Sequence, residues 1–153
     1  MKNQLIKTLQ INKKIVSSGL QIQSFGNASI RYKNFCLIKP SGVNLNKIKY
    51  SDISVVNIAT GKHLSGKKPS VDLPTHLMIY KNFKNINSVI HTHSIYATSW
   101  AQSKKSIPCY GTTHADYYFD SVPITDVISR KDLKRNYELN TGKLIVKKIK
   151  KLK

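Results

Sequence analysis

Residues 68–94 read KPSVDLPTHLMIYKNFKNINSVIHTHS, and these residues give the clearest prediction of the fold class. It opens with the capping residues Ser70 and Asp72 and an early proline, which predict the start of a helix that runs to about residue 83. Residues 88–93 are then rich in apolar and β-branched side chains, which predicts a strand. A helix followed closely by a strand is typical of a layered α/β domain.

The segments on either side alternate between helical and extended patterns. Further helices are predicted at residues 4–18, 94–102 and 129–140, with Ser94 and Ser129 as caps and Gly19 and Gly142 as stops. Further strands are predicted at residues 28–32, 35–39, 53–58, 63–64 and 143–149, of which the first two form a hairpin. Nothing in the pattern marks a second domain, so we expect one domain over residues 1–153.

The net charge of +19, from 26 basic and 7 acidic residues, raises the question of nucleic-acid binding. Three of the basic residues are arginine, the side chain that reads bases and phosphates with a planar fork. The lysines are spread along the whole chain instead of forming one cluster. We therefore expect no nucleic-acid partner, and we interpret the charge as a general drift toward lysine or as a field that attracts phosphorylated substrates.

No apolar run approaches the roughly 20 residues that span a bilayer, and the N-terminus lacks the apolar core and cleavage site of a signal peptide. We therefore expect a cytoplasmic protein with no membrane partner. Cys36 and Cys109 lie in no CxxC pattern and are expected to be reduced in that compartment.

His91-Thr92-His93 is the sharpest chemical feature of the chain. Residues two apart on a strand face the same side, so two imidazoles would point into one space that suits one metal ion. Asp72 is a candidate for an oxygen ligand or for a hydrogen bond to a ligand. A chance pair without metal is the alternative. His76 is expected on the preceding helix in a structural role.

Three short turns in the first half of the chain combine small residues with polar side chains: Gly26-Asn27-Ala28-Ser29, Lys39-Pro40-Ser41-Gly42 and Lys68-Pro69-Ser70. Free backbone N–H groups and hydroxyls in such turns can hold a phosphate, and two of these turns add a lysine. A plain turn without a ligand is the alternative for each one alone. Farther along, Asp116 lies in an unusually polar stretch and is a candidate proton carrier.

Seven motifs follow one another in an order that is specific: GNAS, IKPSGV, KPSVDLPTH, VIHTHS, ATSWAQ, IPCYGTTHADYYF and YELNTGK. Together they cover about residues 26–146, and they resemble the pattern of L-ribulose-5-phosphate 4-epimerases in the class II aldolase/epimerase family. The resemblance implies a three-layer α/β/α sandwich around a mixed β-sheet and a homotetramer. Since family members extend beyond the point where this chain stops, the domain is expected to be incomplete at its C-terminus, without a third zinc histidine and a tyrosine acid/base.

The resemblance also assigns roles to residues. It implies one Zn²⁺ per subunit, held by His91 and His93 with Asp72 beside the metal, where related aldolases have glutamate. It implies that Asp116 is the catalytic acid/base. The substrate, chiefly its phosphate, would be held by Gly26, Asn27, Lys39, Ser41, Gly42, Ser70 and the backbone N–H of Val71, which stands where a second serine is usual.

The implied activity is that of an isomerase in pentose phosphate metabolism, with a phosphorylated pentulose as substrate. L-ribulose 5-phosphate and D-xylulose 5-phosphate would interconvert by retro-aldol and aldol steps, with zinc stabilising the enediolate that forms when C3–C4 breaks. Two alternatives stay open: a non-catalytic remnant that keeps the fold, and a class II aldolase that acts on another sugar phosphate.

Overall fold

The computed structural model describes residues 1–21, 23 and 25–152. Its helices are α1 (Lys2–Ser17), α2 (Leu73–Asn82), α3 (Ile95–Gln102), α4 (Thr112–Ala115) and α5 (Arg130–Lys150), with a 3-10 helix at Tyr50–Asp52. Its strands are β1 (Asn27–Tyr32), β2 (Phe35–Ile38), β3 (Ser54–Asn57), β4 (His63–Ser65) and β5 (Ser88–His91). The predicted caps Ser94 and Ser129 are confirmed, because the Oγ of Ser94 accepts a hydrogen bond from the N–H of Ala97, and that of Ser129 from the N–H of Asp132. Asp72 is at the N-cap of α2, but its side chain makes no capping hydrogen bond.

The strands form one sheet in the order β4-β3-β2-β1-β5. The predicted hairpin is confirmed, with Tyr32 opposite Phe35, and β5 lies along the other side of β1, with Asn27 opposite His91. All four described strand pairings are antiparallel, so the expected mixed sheet is wrong for these strands. The short hairpins allow antiparallel pairing alone, and the crossover through α2 leads to an antiparallel neighbour as well. The expected layered α/β fold is confirmed.

Helices cover both faces of the sheet. Because successive side chains on a strand point to opposite sides, alternate strand residues pack against different helices. On one face, Leu37 and Val55 pack with Leu5 and Leu9 of α1. On the other face, the neighbouring strand residues pack against α2 in a cluster of Cys36, Ile38, Val56, Ile58, Leu77 and Tyr80. α5 lies on α2, where Val146 packs against Ile79 and Phe83.

The predicted strand at residues 143–149 is wrong, since α5 continues through it to Lys150. The helix is kinked at Asn136 (φ −162°, ψ 72°) and passes Gly142 without stopping. Gly142 lies where α5 crosses α2: a Cβ built on it would be 2.9 Å from the Cβ of Met78 and 3.0 Å from the Cα of Thr75. The glycine therefore serves close helix packing, not helix termination.

None of the helices in the described ranges is both long enough and apolar enough to cross a membrane.

Candidate active site

A row of polar side chains joins β1 to α2. Asn27 and Ser29 lie two apart on the strand and share a face, while Asp72 and His76 lie one turn apart at the start of the helix. The Nδ2 of Asn27 donates to the Oδ2 of Asp72 at 2.5 Å, and the Oγ of Ser29 lies 2.7 Å from the Nδ1 of His76. Asn27, Ser29 and His76 are buried, and Asp72 is partly exposed. No pattern in the sequence indicates these pairs, because they depend on which strand α2 packs against.

The row continues one turn farther along the helix. The hydroxyl of Tyr80 lies 2.8 Å from the Oγ of Ser29 and donates to the carbonyl oxygen of Ser29 at 3.0 Å. Arg31 donates to the carbonyl oxygens of Tyr80, Phe83 and Ile86, and its guanidinium lies 4.7 Å from the centre of the Tyr80 ring. We call the six side chains of Asn27, Ser29, Arg31, Asp72, His76 and Tyr80 the β1–α2 ladder.

The predicted metal residues meet at the top of this ladder. The Nδ1 of His91 lies 3.1 Å from the Oδ2 of Asp72. The rings of His91 and His93 have centroids 4.8 Å apart and are tilted by 45°. β5 ends at His91, so His93 does not lie on the strand as predicted, and its ring stacks on Phe25 at 5.4 Å. The structure nevertheless brings Asp72, His91 and His93 together.

The charges of these groups are set by their contacts. The hydrogen bond from His91 lowers the pKa of Asp72 most, and it outweighs the opposing effect of burial, so Asp72 is a carboxylate. Burial lowers the pKa of His93, and the neighbouring His91 adds to the effect. Burial also lowers the pKa of His76 to about 4, which makes that ring neutral at ordinary pH.

A cavity of about 670 Å³ opens beside these groups. Its wall includes Asp72, His76, His91 and His93 from the centre of the fold. α5 closes the other side with Tyr137, Glu138 and Thr141, three residues that were not predicted as site residues. The one sequence signal for them is the YELNTGK motif, which contributes to the family resemblance. A hydrogen bond from the Thr75 hydroxyl to the carbonyl oxygen of Glu138 fixes α5 at the start of α2.

The two lysine-containing turns are held side by side. Pro40 and Pro69 form a bridge, the N–H of Ser41 donates to the carbonyl oxygen of Lys68, and that of Ser70 donates to the carbonyl oxygen of Lys39. The N–H groups of Ser41 and Ser70 are thus used in this pairing, which corrects the prediction that they are free for a phosphate. The hydroxyls of the two serines and the amine of Lys39 are the groups that could bind one.

These turns also adjoin Asp72. The Oγ of Ser70 accepts the N–H of Asp72 at 3.3 Å. Burial lowers the pKa of Lys39, and the charge of Asp72 opposes that effect, so the two side chains interact electrostatically. Val71 is 61% exposed and lines the cavity, and Gly42 lies in the exposed part of its turn with φ of +62°. Of the predicted substrate residues that the structure describes, Val71 lines the cavity beside the histidine pair, whereas Gly42 lines a separate cavity with Val16 and Asn44.

The GNAS segment is the start of β1, not a turn, which corrects the sequence interpretation. The side chain of Asn12 on α1 receives the N–H of Ala28 and donates to its carbonyl oxygen, so this backbone is used internally. Gly26 precedes the strand with φ of +100°, and a Cβ there would lie 3.3 Å from the carbonyl oxygen of His91. Gly26 lets β1 and β5 approach closely beneath the histidine pair.

Asp116 lies apart from this group. It follows α4, its side chain is exposed, and it is not among the residues that line the cavity. The two cysteines are free, as expected. Within the described residues, no group of three His, Cys, Asp or Glu side chains has an arrangement that could hold a metal ion. The histidine pair therefore offers two ring nitrogens, with Asp72 bound to one of the rings.

The chain matches the class II aldolase and adducin N-terminal domain over residues 7–151. It is 42% identical over 147 residues to the "probable L-ribulose-5-phosphate 4-epimerase UlaF" of Mycoplasma pneumoniae, and 44% identical over 131 residues to the "L-ribulose-5-phosphate 4-epimerase UlaF" of Salmonella typhi. These matches cover 94% and 84% of this chain, and 61% and 57% of the two relatives. The chain thus spans about three fifths of the length of these curated relatives.

The fold of this chain is also similar to that of solved structures. An L-fuculose 1-phosphate aldolase superposes with a TM-score of 0.73 at 25% identity, covering 92% of this chain and 68% of that one. YgbL of Escherichia coli, a putative aldolase/epimerase/decarboxylase, superposes with a TM-score of 0.61 at 28% identity. The superposition covers 65% of this chain and 48% of the YgbL chain. With the match over residues 7–151, the chain belongs to the family of the class II aldolase and adducin N-terminal domain.

Proposed function

We propose that this chain carries the active site of an L-ribulose-5-phosphate 4-epimerase, which interconverts L-ribulose 5-phosphate and D-xylulose 5-phosphate. The observation that carries the proposal is the contact of Asp72 with His91, beside His93, on the wall of one cavity. The names of the two epimerase relatives, at 42% and 44% identity, support the same reaction.

His91 and His93 are the residues that would hold a zinc ion. The donor chemistry fits, because the Asp72 carboxylate accepts hydrogen bonds only and so requires the hydrogen of His91 on Nδ1. In the neutral His91 ring the Nε2 then has the lone pair that a metal needs, and the lowered pKa of His93 favours the neutral form of that ring. A bound zinc ion supplies Lewis acidity that stabilises negative charge on carbonyl and hydroxyl oxygens. Two imidazoles leave the remaining positions to other ligands.

Asp72 orients this site. Its Oδ2 receives hydrogen bonds from both His91 and Asn27, which hold the carboxylate in place and keep the His91 ring in one tautomer. Removal of such an orienting carboxylate typically weakens metal binding 10- to 100-fold. We expect that loss in Asp72→Asn.

The phosphate of the substrate would bind at the paired turns, through the amine of Lys39 and the hydroxyls of Ser41 and Ser70. The position of Ser70 next to Asp72 supports this, because it joins the phosphate end of a sugar to the metal end within one site. Asp116 is proposed as the acid/base on the resemblance alone. Its side chain is exposed just beyond α4.

The test measures zinc content and the formation of D-xylulose 5-phosphate by the 153-residue chain. We expect about one zinc ion per chain and measurable turnover in the unchanged protein, and the loss of both in His91→Ala and His93→Ala. His63→Ala is the matched control, since His63 is an exposed histidine on β4 and should change neither quantity.

The other outcomes separate the alternatives. Zinc binding without turnover would identify a non-catalytic relative that keeps the metal site. Cleavage of L-fuculose 1-phosphate without epimerisation would identify an aldolase, the activity named for a solved structure of the same fold. A folded sample that binds no zinc would contradict the proposed site itself.

A further inference from the structure

The two histidines of the candidate metal site are held in different ways. His91 is the last residue of β5, and its Nδ1 is fixed by the Oδ2 of Asp72 at 3.1 Å. His93 lies beyond the end of β5, and among the described residues its ring makes no hydrogen bond. Histidines that bind a metal are usually oriented through their second ring nitrogen. The orientation of the His93 ring therefore depends on another kind of contact.

The side chain of Phe25 provides that contact. The ring centroids of Phe25 and His93 are 5.4 Å apart, and the two planes are inclined by 29°, which is a stacked arrangement. Aromatic pairs favour offset stacking with centroids about 4.5–7 Å apart. The His93 ring also lies beside that of His91, at 4.8 Å between centroids. The Phe25 ring therefore restricts the rotation of the His93 side chain at a position next to the other histidine.

The register of the sheet explains why these two rings meet. β1 and β5 are antiparallel, with Asn27 opposite His91. Two residues before Asn27 on one chain segment, and two residues after His91 on the other, the same register places Phe25 opposite His93. Opposite residues of an antiparallel pair share a face, with Cβ atoms about 4.5–5.5 Å apart. The N–H of His93 donates to the carbonyl oxygen of Leu20 at 3.2 Å, which holds this extension of β5 in place.

The surroundings of Phe25 connect it to the site and not to the core. Its side chain is 53% exposed, and it belongs to none of the hydrophobic clusters formed by the described residues. It lines the cavity together with Asp72, His91 and His93. A half-exposed ring contributes less to stability through burial than a core residue does. Its stacking on a candidate ligand is therefore the contact by which Phe25 can affect function.

We propose that Phe25 is a positioning residue of the metal site, which holds the His93 ring by stacking as Asp72 holds the His91 ring by a hydrogen bond. The proposal rests on the proposed function for the metal, and it adds a role for a side chain that has no metal-binding atom. A side chain that is already held loses less rotational freedom when it binds, and this preorganisation increases affinity. One aromatic pair should change the affinity for the ion about two- to tenfold.

The first test detects the stacking without metal or activity. In NMR spectra of the unchanged 153-residue chain, we expect nuclear Overhauser cross-peaks between the ring protons of Phe25 and those of His93, which His93→Ala identifies. The ring current of Phe25 should also shift the His93 ring protons, and that shift should disappear in Phe25→Leu. Because the cross-peaks are measured in the unchanged chain, their absence would overturn the proposal even if Phe25→Leu failed to fold.

The second test measures the dissociation constant for zinc by competition with a chelating dye. We expect Phe25→Leu, which keeps an apolar side chain without a ring, to bind zinc about fivefold more weakly. Phe25→Trp restores an aromatic face and should bind within about twofold of the unchanged chain. Phe119→Leu is the matched control and should bind zinc normally, because Phe119 is 85% exposed and does not line this cavity.

The outcomes separate this proposal from the proposed function. If Phe25→Leu binds zinc as tightly as the unchanged chain, the role of Phe25 is wrong while the zinc site stands. Equal weakening in Phe25→Leu and Phe25→Trp would also overturn that role, because the shape of the side chain and not its aromatic face would then matter. If the unchanged chain binds no zinc, the proposed function fails, and this proposal fails with it.

Discussion

The role of a side chain in this protein depends on its position in the fold as well as on its residue type. Arg31 is one of three arginines in a chain with 26 basic residues, and it is used inside the fold. It collects the carbonyl oxygens at the C-terminal end of α2, where backbone acceptors are left without partners, and it covers the Tyr80 ring. Lysine could not make this contact, because it lacks the planar fork of donors.

Cys36 gives a test of burial at the scale of one residue. Its side chain is fully buried between the sheet and α2, and burial raises the pKa of its thiol to about 12. Because the thiolate is the reactive form, Cys36 should not react with a thiol reagent in the folded protein. We expect one thiol, that of the partly exposed Cys109, to react in buffer and a second to appear on unfolding in guanidinium chloride.

Cys109→Ser is the control for this measurement, and it should show no reactive thiol until the protein unfolds. Two reactive thiols in the folded protein would mean that the sheet opens on the timescale of the reaction, which contradicts the packing described for this face.

At the scale of elements, structure that depends on neighbouring residues was predicted correctly, whereas structure that depends on distant contacts was not. The start of α2 could be predicted, because an early proline acts within one turn, and Asp72 lies at the N-cap although its side chain makes no capping hydrogen bond. The end of the chain could not, since KLIVKKIK fits both an exposed strand and a helix. The apolar face of α2, with Ile79 and Phe83, decides for the helix by packing against Val146. The sequence alone does not state that this partner is available.

The crossing of α2 and α5 predicts an unusual response to a helix-favouring substitution. Gly142→Ala improves helix propensity by about 1 kcal/mol. The added methyl would also lie 2.9 Å from the Cβ of Met78, and such overpacking costs about 1–3 kcal/mol. We expect a net loss of about 1 kcal/mol, seen as a lower urea midpoint with an unchanged slope.

Gly111→Ala is the matched control, because a Cβ at Gly111 meets nothing within 4 Å and its φ of −163° suits any residue. Its urea midpoint should stay close to that of the unchanged protein. A Gly142→Ala variant as stable as the unchanged protein would show that the two helices can separate at little cost.

At the scale of the whole molecule, the main electrostatic feature is the excess of basic over acidic residues. With 26 basic and 7 acidic residues, most cations have no acidic partner, and the described ion pairs beyond Asp72–His91 are Lys67–Asp52 and Lys147–Asp126. Like charges repel most in the compact state, and salt screens them, since the Debye length falls from about 30 Å at 0.01 M to about 8 Å at 0.15 M. We expect Tm to rise over this range of sodium chloride.

Lys131→Glu provides the comparison, because it lowers the net charge from +19 to +17 at an exposed position in the first turn of α5. The rise of Tm with salt should be smaller in this variant. A Tm that falls with salt would mean that attractive pairs outweigh the repulsion.

The candidate site was predictable in part, for reasons that also belong to this scale. The spacing of His91 and His93, and the chemistry of Asp72, made a shared site the natural prediction. The pairing of the two lysine turns, and the contact of Asn27 with Asp72, depend on the order of strands in the sheet. No short-range pattern states that order. Asp116 lies outside the group because its surroundings come from the irregular segment around α4.

The β1–α2 ladder has a consequence for how relatives of this protein can diverge. Two residues of a strand advance about 6.7 Å and four residues of a helix about 6 Å, so the two periods nearly match and the rungs stay aligned. If α2 slipped by one turn along β1, Asp72 would lie beside Ser29 and the amide of Asn27 would lose its hydrogen-bond partner. The lining of the cavity can therefore change when both residues of one β1–α2 pair are substituted together, but not when α2 slides along β1. Across relatives, we expect positions 29 and 76 to be inherited as a pair.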